Sequence, residues 1–556
     1  MTRSRWRSRQ PSTQPRPVRR LLTVAMLTAT ALALSACAPA PDLAWQPPVR
    51  AAVTSFDEAV GDVAGAEAGA TPLDHYRIRD SAPAVDARWT EVPGQTDLNT
   101  RVRSLVIDTV GAFATRLGTV YEPEAAAAGA GLGSRGCEAG SSSMPAVEVL
   151  AQGGATAGEA LVITCEIVVA SGSEFGERVR VVEGTAGAAP AVTRDESFVF
   201  FADTATAQQA GGADVITADA ALAIWNELVL AARRELGALW DTQVAAPSDT
   251  NAAVLAQGFA DVTPTPDGGL RIGIPAGLLT PEMDVSGGAN ASPPVSPDGE
   301  TTLVVGEPIS HRFPSIHIGA ELAAPMLTDL GRELVAASAT PQPLVAGQRP
   351  LAGDRQVDCT LFPCVALTFD DGPAPITETL LGQLREQDAT ATFFLVGPNV
   401  QRHPEIARQI DDDGHQIGNH SWTHPRLTTL DDKKIEEEVK KTNDAIAAAT
   451  GERPSVFRPP YGDLDARVLT KLGMPAILWD IDTLDWEGPP HETLVDRGAN
   501  EAEAGSIILM HDIHDSTVDA VPEILTGLHD RGFVLVTIDQ IFGGAPAAGN
   551  SYTSAR

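Results

Sequence analysis

At 556 residues the chain is longer than one ordinary domain, so two or more cores are expected. Hydrophobic residues make up 43% and charged residues 20%, the balance of a globular protein. The formal charge of −33 argues against nucleic acid and anionic membrane lipid as partners, and a neutral or zwitterionic substrate region is easier to accommodate.

Residues 1–36 read as an export signal. Arg3, Arg5, Arg7, Arg9, Arg16, Arg19 and Arg20 form a basic stretch, and Leu21 to Leu34 is apolar but too short for a stable membrane span. The run Leu34-Ser35-Ala36-Cys37 resembles the bacterial lipoprotein cleavage box, which implies lipidation of Cys37 and a membrane-anchored protein facing the cell wall. Without use of that box the protein would be secreted. The Arg19-Arg20 pair leaves twin-arginine export open. Removal of seven arginines and no acids takes the charge from −33 to −40.

The remaining cysteines, Cys137, Cys165, Cys359 and Cys364, form two pairs, each within one segment, and suit disulfides outside the cell. Residues 37–85, rich in Ala, Pro and Asp, read as a flexible tether.

From 86 to 339 the pattern is mixed α and β. A helix is expected over 97–116, short strands over 146–150, 161–169, 178–182 and 197–201, a second helix over 218–240, a strand over 270–274 and a loop over 284–299. This region resembles the small α+β domains that precede catalytic domains in some exported wall enzymes. It is assigned no chemistry, and His311 and His317, its histidines apart from His75, are read as structural rather than as ligands.

Residues 340–358 look like a linker. Beyond it, short apolar runs alternate with helical patterns. Runs at 365–369, 390–396, 416–418, 456–457, 476–479, 506–510 and 534–537 imply a parallel α/β sheet, open or closed into a barrel. The clearest helix covers 431–449, with Ile435, Val439 and Ile446 on one face and Gly451 as its stop. A disordered tail is expected over 544–556.

In such folds catalytic groups gather beyond the carboxyl ends of the strands, where five clusters fall. His420 and His424 are four apart, so a helix starting there would point both imidazoles the same way. With an aspartate they make a two-His, one-carboxylate set with open positions, the pattern of a catalytic metal site. Adjacent Asp370 and Asp371 then divide the work between holding a cation and taking a proton from water. An Asp-Asp-Gly-Pro run alone is an ordinary turn, and an Arg-Pro-Pro run alone is a rigid loop. The set of clusters carries the reading. No Gly-x-Ser-x-Gly elbow or P-loop lysine supports another hydrolase.

These clusters resemble the NodB-type polysaccharide deacetylases, carbohydrate esterase family 4, at five ordered motifs over roughly a third of the chain. They are Thr368-Phe369-Asp370-Asp371-Gly372-Pro373, His420-x3-His424, Arg458-Pro459-Pro460-Tyr461-Gly462, Asp482-x2-Asp485-Trp486 and Leu509-x-His511. The resemblance implies a distorted (β/α) barrel over 359–543. It assigns Asp371, His420 and His424 to a divalent metal, zinc first, with Co2+, Ni2+ or Mn2+ as substitutes. Asp370 becomes the general base, held by Arg458; Tyr461 supplies an oxyanion-binding N–H; His511 is the general acid, oriented by Asp485; Trp486 and Leu509 line the acetyl pocket. The implied substrate is an N-acetylated amino-sugar polymer of the cell wall, peptidoglycan first. A chitooligosaccharide, an acetylated xylan or an inactive wall-sensing lipoprotein are the alternatives.

Overall fold

The computed structural model describes residues 50–54, 73–236, 259–274 and 314–556. The export segment, Cys37, most of the tether, His311 and the 284–299 loop lie outside them. All described residues belong to one unit, Pro48–Arg556. None of its described helices is long and apolar enough to cross a membrane.

β1 (Ala51–Thr54) begins inside the stretch expected to be a tether, and pairs antiparallel with a strand more than 250 residues downstream. β2 (Asp74–Ser81) also starts before residue 85, so the tether reading is corrected at both places. Four residues paired to a distant partner leave no periodic signal of their own. β2, β3 (Ala84–Glu91), β4 (Gly158–Ser171), β5 (Glu174–Ala186), β6 (Ala191–Asp203) and β7 (Gln208–Gly211) form a six-stranded sheet in that order, antiparallel except between β3 and β4. β8 (Val262–Pro264), β9 (Leu270–Gly273) and β10 (Ser315–Ile318) complete a smaller sheet with β1.

Period-2 alternation explains how the larger sheet is covered on both faces. Leu161, Ile163, Val179 and Val181 bury against the helix Thr96–Arg116. Their neighbours Val162 and Val182 bury on the other side against Val149 and Leu150. Those last two sit on a helix, Ala146–Gln152, not on the strand expected at 146–150. Its seven residues are too few to show a helical period, and Ala-Val-Glu-Val-Leu mimics strand alternation.

The named strands of the C-terminal region all pair in parallel. β11 (Cys364–Asp370), β12 (Thr392–Leu395), β13 (Gln416–Asn419), β14 (Ala476–Ile477), β15 (Ile481–Asp482), β16 (Ile507–His511) and β17 (Val534–Leu535) follow the apolar runs read from the sequence. The sheet order is β13-β12-β11-β16-β15, with β17 beside the start of β11. Phe457 bridges Asn419 on one side and Ala476 on the other. The segment 476–482 then bonds both ways, with Ile477 N–H donating to Phe457 at 2.8 Å and Asp480 N–H to Ile507 at 3.2 Å.

Every residue of β11 is buried, as expected of a strand covered on both faces. Val365, Leu367 and Phe369 pack against surrounding helices, including Leu380, Leu381 and Leu384. On the opposite face, Ala366, Phe394, Ile477 and Ile507 share one core with Trp89, Val106 and Phe113 of the α+β region. Residues 340–358 are laid along this junction: Val345 N–H donates to Gly172 and the Gln540 amide donates to Ala352, Gly353 and Arg355 carbonyls.

The expected disordered tail is a further correction. β18 (Ser551–Tyr552) pairs with β14, and Arg556 reaches Asp480 and Glu503. Its Gly/Ala/Ser composition reads as disorder, yet the open edge of β14 offers backbone groups that this segment satisfies.

Candidate active site

Because the strands are parallel, Asp370 at the end of β11, Asn419 at the end of β13 and His511 at the end of β16 emerge on one rim. The turns that follow are tight. Asp371, Ser421, His424, Tyr461 and Leu484 all adopt left-handed backbone (φ between 52° and 74°), whereas only Ala207 and Asp388 do so among the other described non-glycine residues. Such strain persists where surrounding structure fixes it, and it concentrates at functional sites.

Asp371, His420 and His424 meet. Their ligand atoms all lie within 4.8 Å of one another. His420 Nε2 is 3.6 Å from Asp371 Oδ1 and 3.6 Å from Asp370 Oδ2, and His424 Nε2 is 3.4 Å from Asp371 Oδ1. A helix does not bring the imidazoles together, contrary to the expectation. Residues 420–424 form a loop turned by Ser421 and His424. Glu438 holds it, accepting from the Trp422 and Thr423 N–H groups at 2.8 and 2.7 Å and from the Thr423 hydroxyl. Asn419 adds a bond to Ser421 N–H at 2.7 Å and is itself fixed by Asn443. Asn399 donates to the Asp371 carbonyl at 2.7 Å.

The donor chemistry of this cluster fits a cation. His420 Nδ1 donates to the Arg458 carbonyl at 2.8 Å, which leaves Nε2 a lone pair. Burial drives the His420 pKa down to about 3, so the ring is neutral. Its lone pair therefore faces carboxylate oxygens across 3.6 Å, acceptor against acceptor. A positive ion between them resolves that opposition. The other such group among the described residues, Cys137, Cys165 and Glu177, offers no thiolate because Cys137 and Cys165 are joined as a disulfide, as are Cys359 and Cys364.

Asp370 is buried beside this cluster. Arg458 Nη1 donates to its Oδ1 at 2.9 Å and to Thr368 Oγ1 at 2.7 Å. The guanidinium is fully buried, donates to the Ile477 and Leu478 carbonyls, and lies over the Phe394 ring. Burial raises the Asp370 pKa despite the Arg458 charge, which moves the carboxyl toward the range useful for a base.

On another side stands His511. Its Nδ1 donates to Asp485 Oδ1 at 2.7 Å, and its backbone N–H to Oδ2 at 2.7 Å. The Thr517 hydroxyl also donates to Asp485 Oδ2. Burial opposes the His511 charge, but the Asp485 bond and the nearby acids outweigh it and raise the pKa to about 9. His511 is cationic at neutral pH and can give a proton. Asp485, conversely, is held below its ordinary value by these bonds in spite of burial.

Tyr461 is half-exposed with its ring 4.6 Å from that of His424. Trp486 follows Asp485 and is half-exposed, while Leu509 is buried in β16. Behind the rim, Asp512 takes the Thr377 hydroxyl bond at 2.5 Å, and burial lifts its pKa to about 7. A Cβ on Gly372 would lie 2.3 Å from Asp512 Oδ2, so only glycine fits there. Glu438, Asn443, Asn399 and Thr517 were not singled out by sequence; nothing in their local pattern marks them.

Five of the other described histidines sit apart from the cluster, while the His514 ring lies 5.9 Å from that of His511. His317 pairs with Asp267, His491 with Glu523, and His403 with Glu405, while His415 and His529 are buried with pKa values lowered to about 4.

Residues 358–477 match the family model for polysaccharide deacetylase. The chain is 37% identical over 194 residues to a chitooligosaccharide deacetylase of Rhizobium leguminosarum bv. trifolii, covering 32% of this chain and 90% of that protein. The chain belongs to the polysaccharide deacetylase family. It is also 42% identical over 178 residues to the peptidoglycan-N-acetylmuramic acid deacetylase PdaC of Bacillus subtilis, covering 32% of this chain and 38% of that protein. Against the peptidoglycan-N-acetylglucosamine deacetylase PgdA of Listeria monocytogenes the identity is 37%, over 41% of the relative. The chain thus spans about two fifths of the length of these two relatives. A solved deacetylase, described as T48 with substrate, aligns over 35% of this chain and 99% of its own at 47% identity, with a TM-score of 0.35. The residues matched by the family model, 358–477, contain Asp371, His420 and His424 together with Asp370, Arg458 and Tyr461.

Proposed function

We propose that this protein hydrolyses the N-acetyl groups of amino sugars in cell-wall polysaccharide, with one divalent metal ion. The observation that carries the reading is the neutral His420 Nε2 facing Asp370 and Asp371, with protonated His511 nearby. A nitrogen and oxygen donor set of two imidazoles and one carboxylate suits zinc, with Co2+, Ni2+ or Mn2+ as possible substitutes. When bound, the ion supplies Lewis acidity to the acetyl carbonyl and lowers the pKa of water.

The chain's own groups then divide the reaction. Asp371, His420 and His424 hold the ion. Asp370, fixed by Arg458, removes a proton from the attacking water. The turn at Tyr461 presents a backbone N–H to the developing oxyanion. His511 protonates the departing amine, and Asp485 keeps it charged and oriented. Trp486 and Leu509 enclose the acetyl methyl. Water adds to the carbonyl carbon, the C–N bond breaks, and acetate and a free amine leave.

The ring of backbone bonds through Phe457 and 476–482 is read as the distorted barrel of this family. Export, lipidation at Cys37 and a position facing the wall complete the proposal; a secreted form follows if the cleavage box is unused. Peptidoglycan is the preferred polymer because an anchored enzyme meets it first, and both Bacillus and Listeria relatives carry that name. The chitooligosaccharide relative favours the second reading. A wall-sensing pseudoenzyme is disfavoured because ligand, base and acid positions are all filled. Acetate release from peptidoglycan, chitin oligomers and acetyl-xylan decides the substrate. His420→Ala should lose metal and turnover together, whereas Asp370→Asn should keep metal and lose turnover. Normal turnover by Asp370→Asn would remove the assigned base.

A further inference from the structure

Two arginines beside the site have no carboxylate partner among the described residues, in a chain whose formal charge is −33. Arg426 is exposed two residues beyond His424, with its guanidinium 4.7 Å from the centre of the Tyr461 ring. That ring lies in turn 4.6 Å from the His424 ring. Arg402 is exposed and donates to Asn399 Oδ1 at 2.9 Å, while the Asn399 amide donates to the Asp371 carbonyl at 2.7 Å. One cation thus reaches the cluster through His424 and the other through Asp371.

The acids on neighbouring elements are occupied elsewhere. Glu438 accepts from Trp422 and Thr423, Asp463 from the Thr428 hydroxyl, and Asp465 from Val468 N–H at 2.7 Å. Glu405 lies by His403. The Tyr461 ring holds the Arg426 guanidinium over its face, and with no carboxylate partner among the described residues its N–H edge can take a carboxylate in two-point geometry. Most of the other described arginines are neutralised at short range, as Arg453 is by Asp444 and Arg467 by Asp432. These two are not.

We infer that Arg402 and Arg426 bind carboxylates carried by the polymer within one sugar of the acetamide, so that the substrate class is an acid-bearing glycan, such as one with lactyl-ether carboxylates, rather than a neutral one. The inference rests on the deacetylase reading and deepens it. The chain's overall negative charge repels such a polymer at long range, but salt screens that repulsion beyond about 8 Å, and local pairing decides binding.

The test uses three soluble tetrasaccharides and the full chain. One alternates N-acetylglucosamine with N-acetylmuramic acid and has free lactyl carboxylates; the second is the same glycan with those carboxylates amidated; the third is chitotetraose. The native protein should favour the free acid over its amide by about tenfold in kcat/KM at low salt, with the preference shrinking as salt rises. In Arg402→Gln/Arg426→Gln the ratio should fall to near one, and Arg426→Lys should restore part of it. A ratio taken within each variant is independent of how much of it is folded. Equal native rates on acid and amide, or a ratio that survives the double substitution, would overturn the inference. Absence of acetate from all three would instead overturn the deacetylase reading.

Discussion

Arg458 contacts both halves of the reaction centre: its carbonyl accepts from His420 Nδ1 at 2.8 Å while its guanidinium donates to Asp370 at 2.9 Å. The backbone fixes the ligand tautomer, and the side chain sets the charge state of the base.

Replacing the side chain should separate the two effects. Arg458→Met keeps the carbonyl, so zinc affinity should change little. Loss of the guanidinium removes the charge that lowers the Asp370 pKa, so the acid limb of kcat/KM should move to higher pH by about one unit or more. A pH profile with an unmoved acid limb would contradict the assignment.

Asp485→Asn acts on the opposite limb. His511 owes its pKa of about 9 to the Asp485 bond and charge, with Asp370 and Asp371 contributing. An acid works only below its pKa, so the basic limb should move down toward the ordinary histidine range. The rate at neutral pH should fall by about 10²-fold or more. Retention of activity to pH 9 would show that another group donates the proton.

Glu438 lies outside the ligand set but holds three donors of the 422–423 turn. Glu438→Ala should weaken zinc binding by about 10- to 100-fold, read by calorimetry, with Glu438→Gln intermediate. Unchanged affinity would mean that the turn keeps its shape without it.

Gly372→Ala tests packing beneath the first motif. The added methyl would meet Asp512 at 2.3 Å, so the turn after Asp371 must shift. A destabilisation of about 1–3 kcal/mol is expected, read as a lower midpoint of thermal unfolding, together with weaker metal binding. A variant with native stability would show that the Asp512 loop yields freely.

Much of the site was legible because catalytic side chains follow apolar runs directly. Asp370, His420 and His511 each sit at or just beyond the end of a strand of four to seven residues, while Arg458 and Asp485 follow shorter apolar runs whose neighbouring motif residues mark them. Spacing misled at His420 and His424: four residues suggest a helical turn, but left-handed Ser421 and His424 make a loop that achieves the same convergence. Glu438, Asn443 and Thr517 were invisible because they lie on helices where polar residues are ordinary, and only the packed fold decides what they meet. The strand Ala51–Thr54 and the tail strand Ser551–Tyr552 were hidden for a related reason, since each takes its pairing from a partner supplied by a distant part of the chain.

The central claim is that a single divalent ion sits among Asp371, His420 and His424. Anomalous diffraction at the zinc edge from crystals of the zinc-loaded protein tests it most directly. The account predicts one strong peak bonded to Nε2 of both imidazoles and to a carboxylate oxygen of Asp371, lost in His420→Ala crystals. A zinc-loaded crystal with no peak there, or with its peak among other residues, would contradict it.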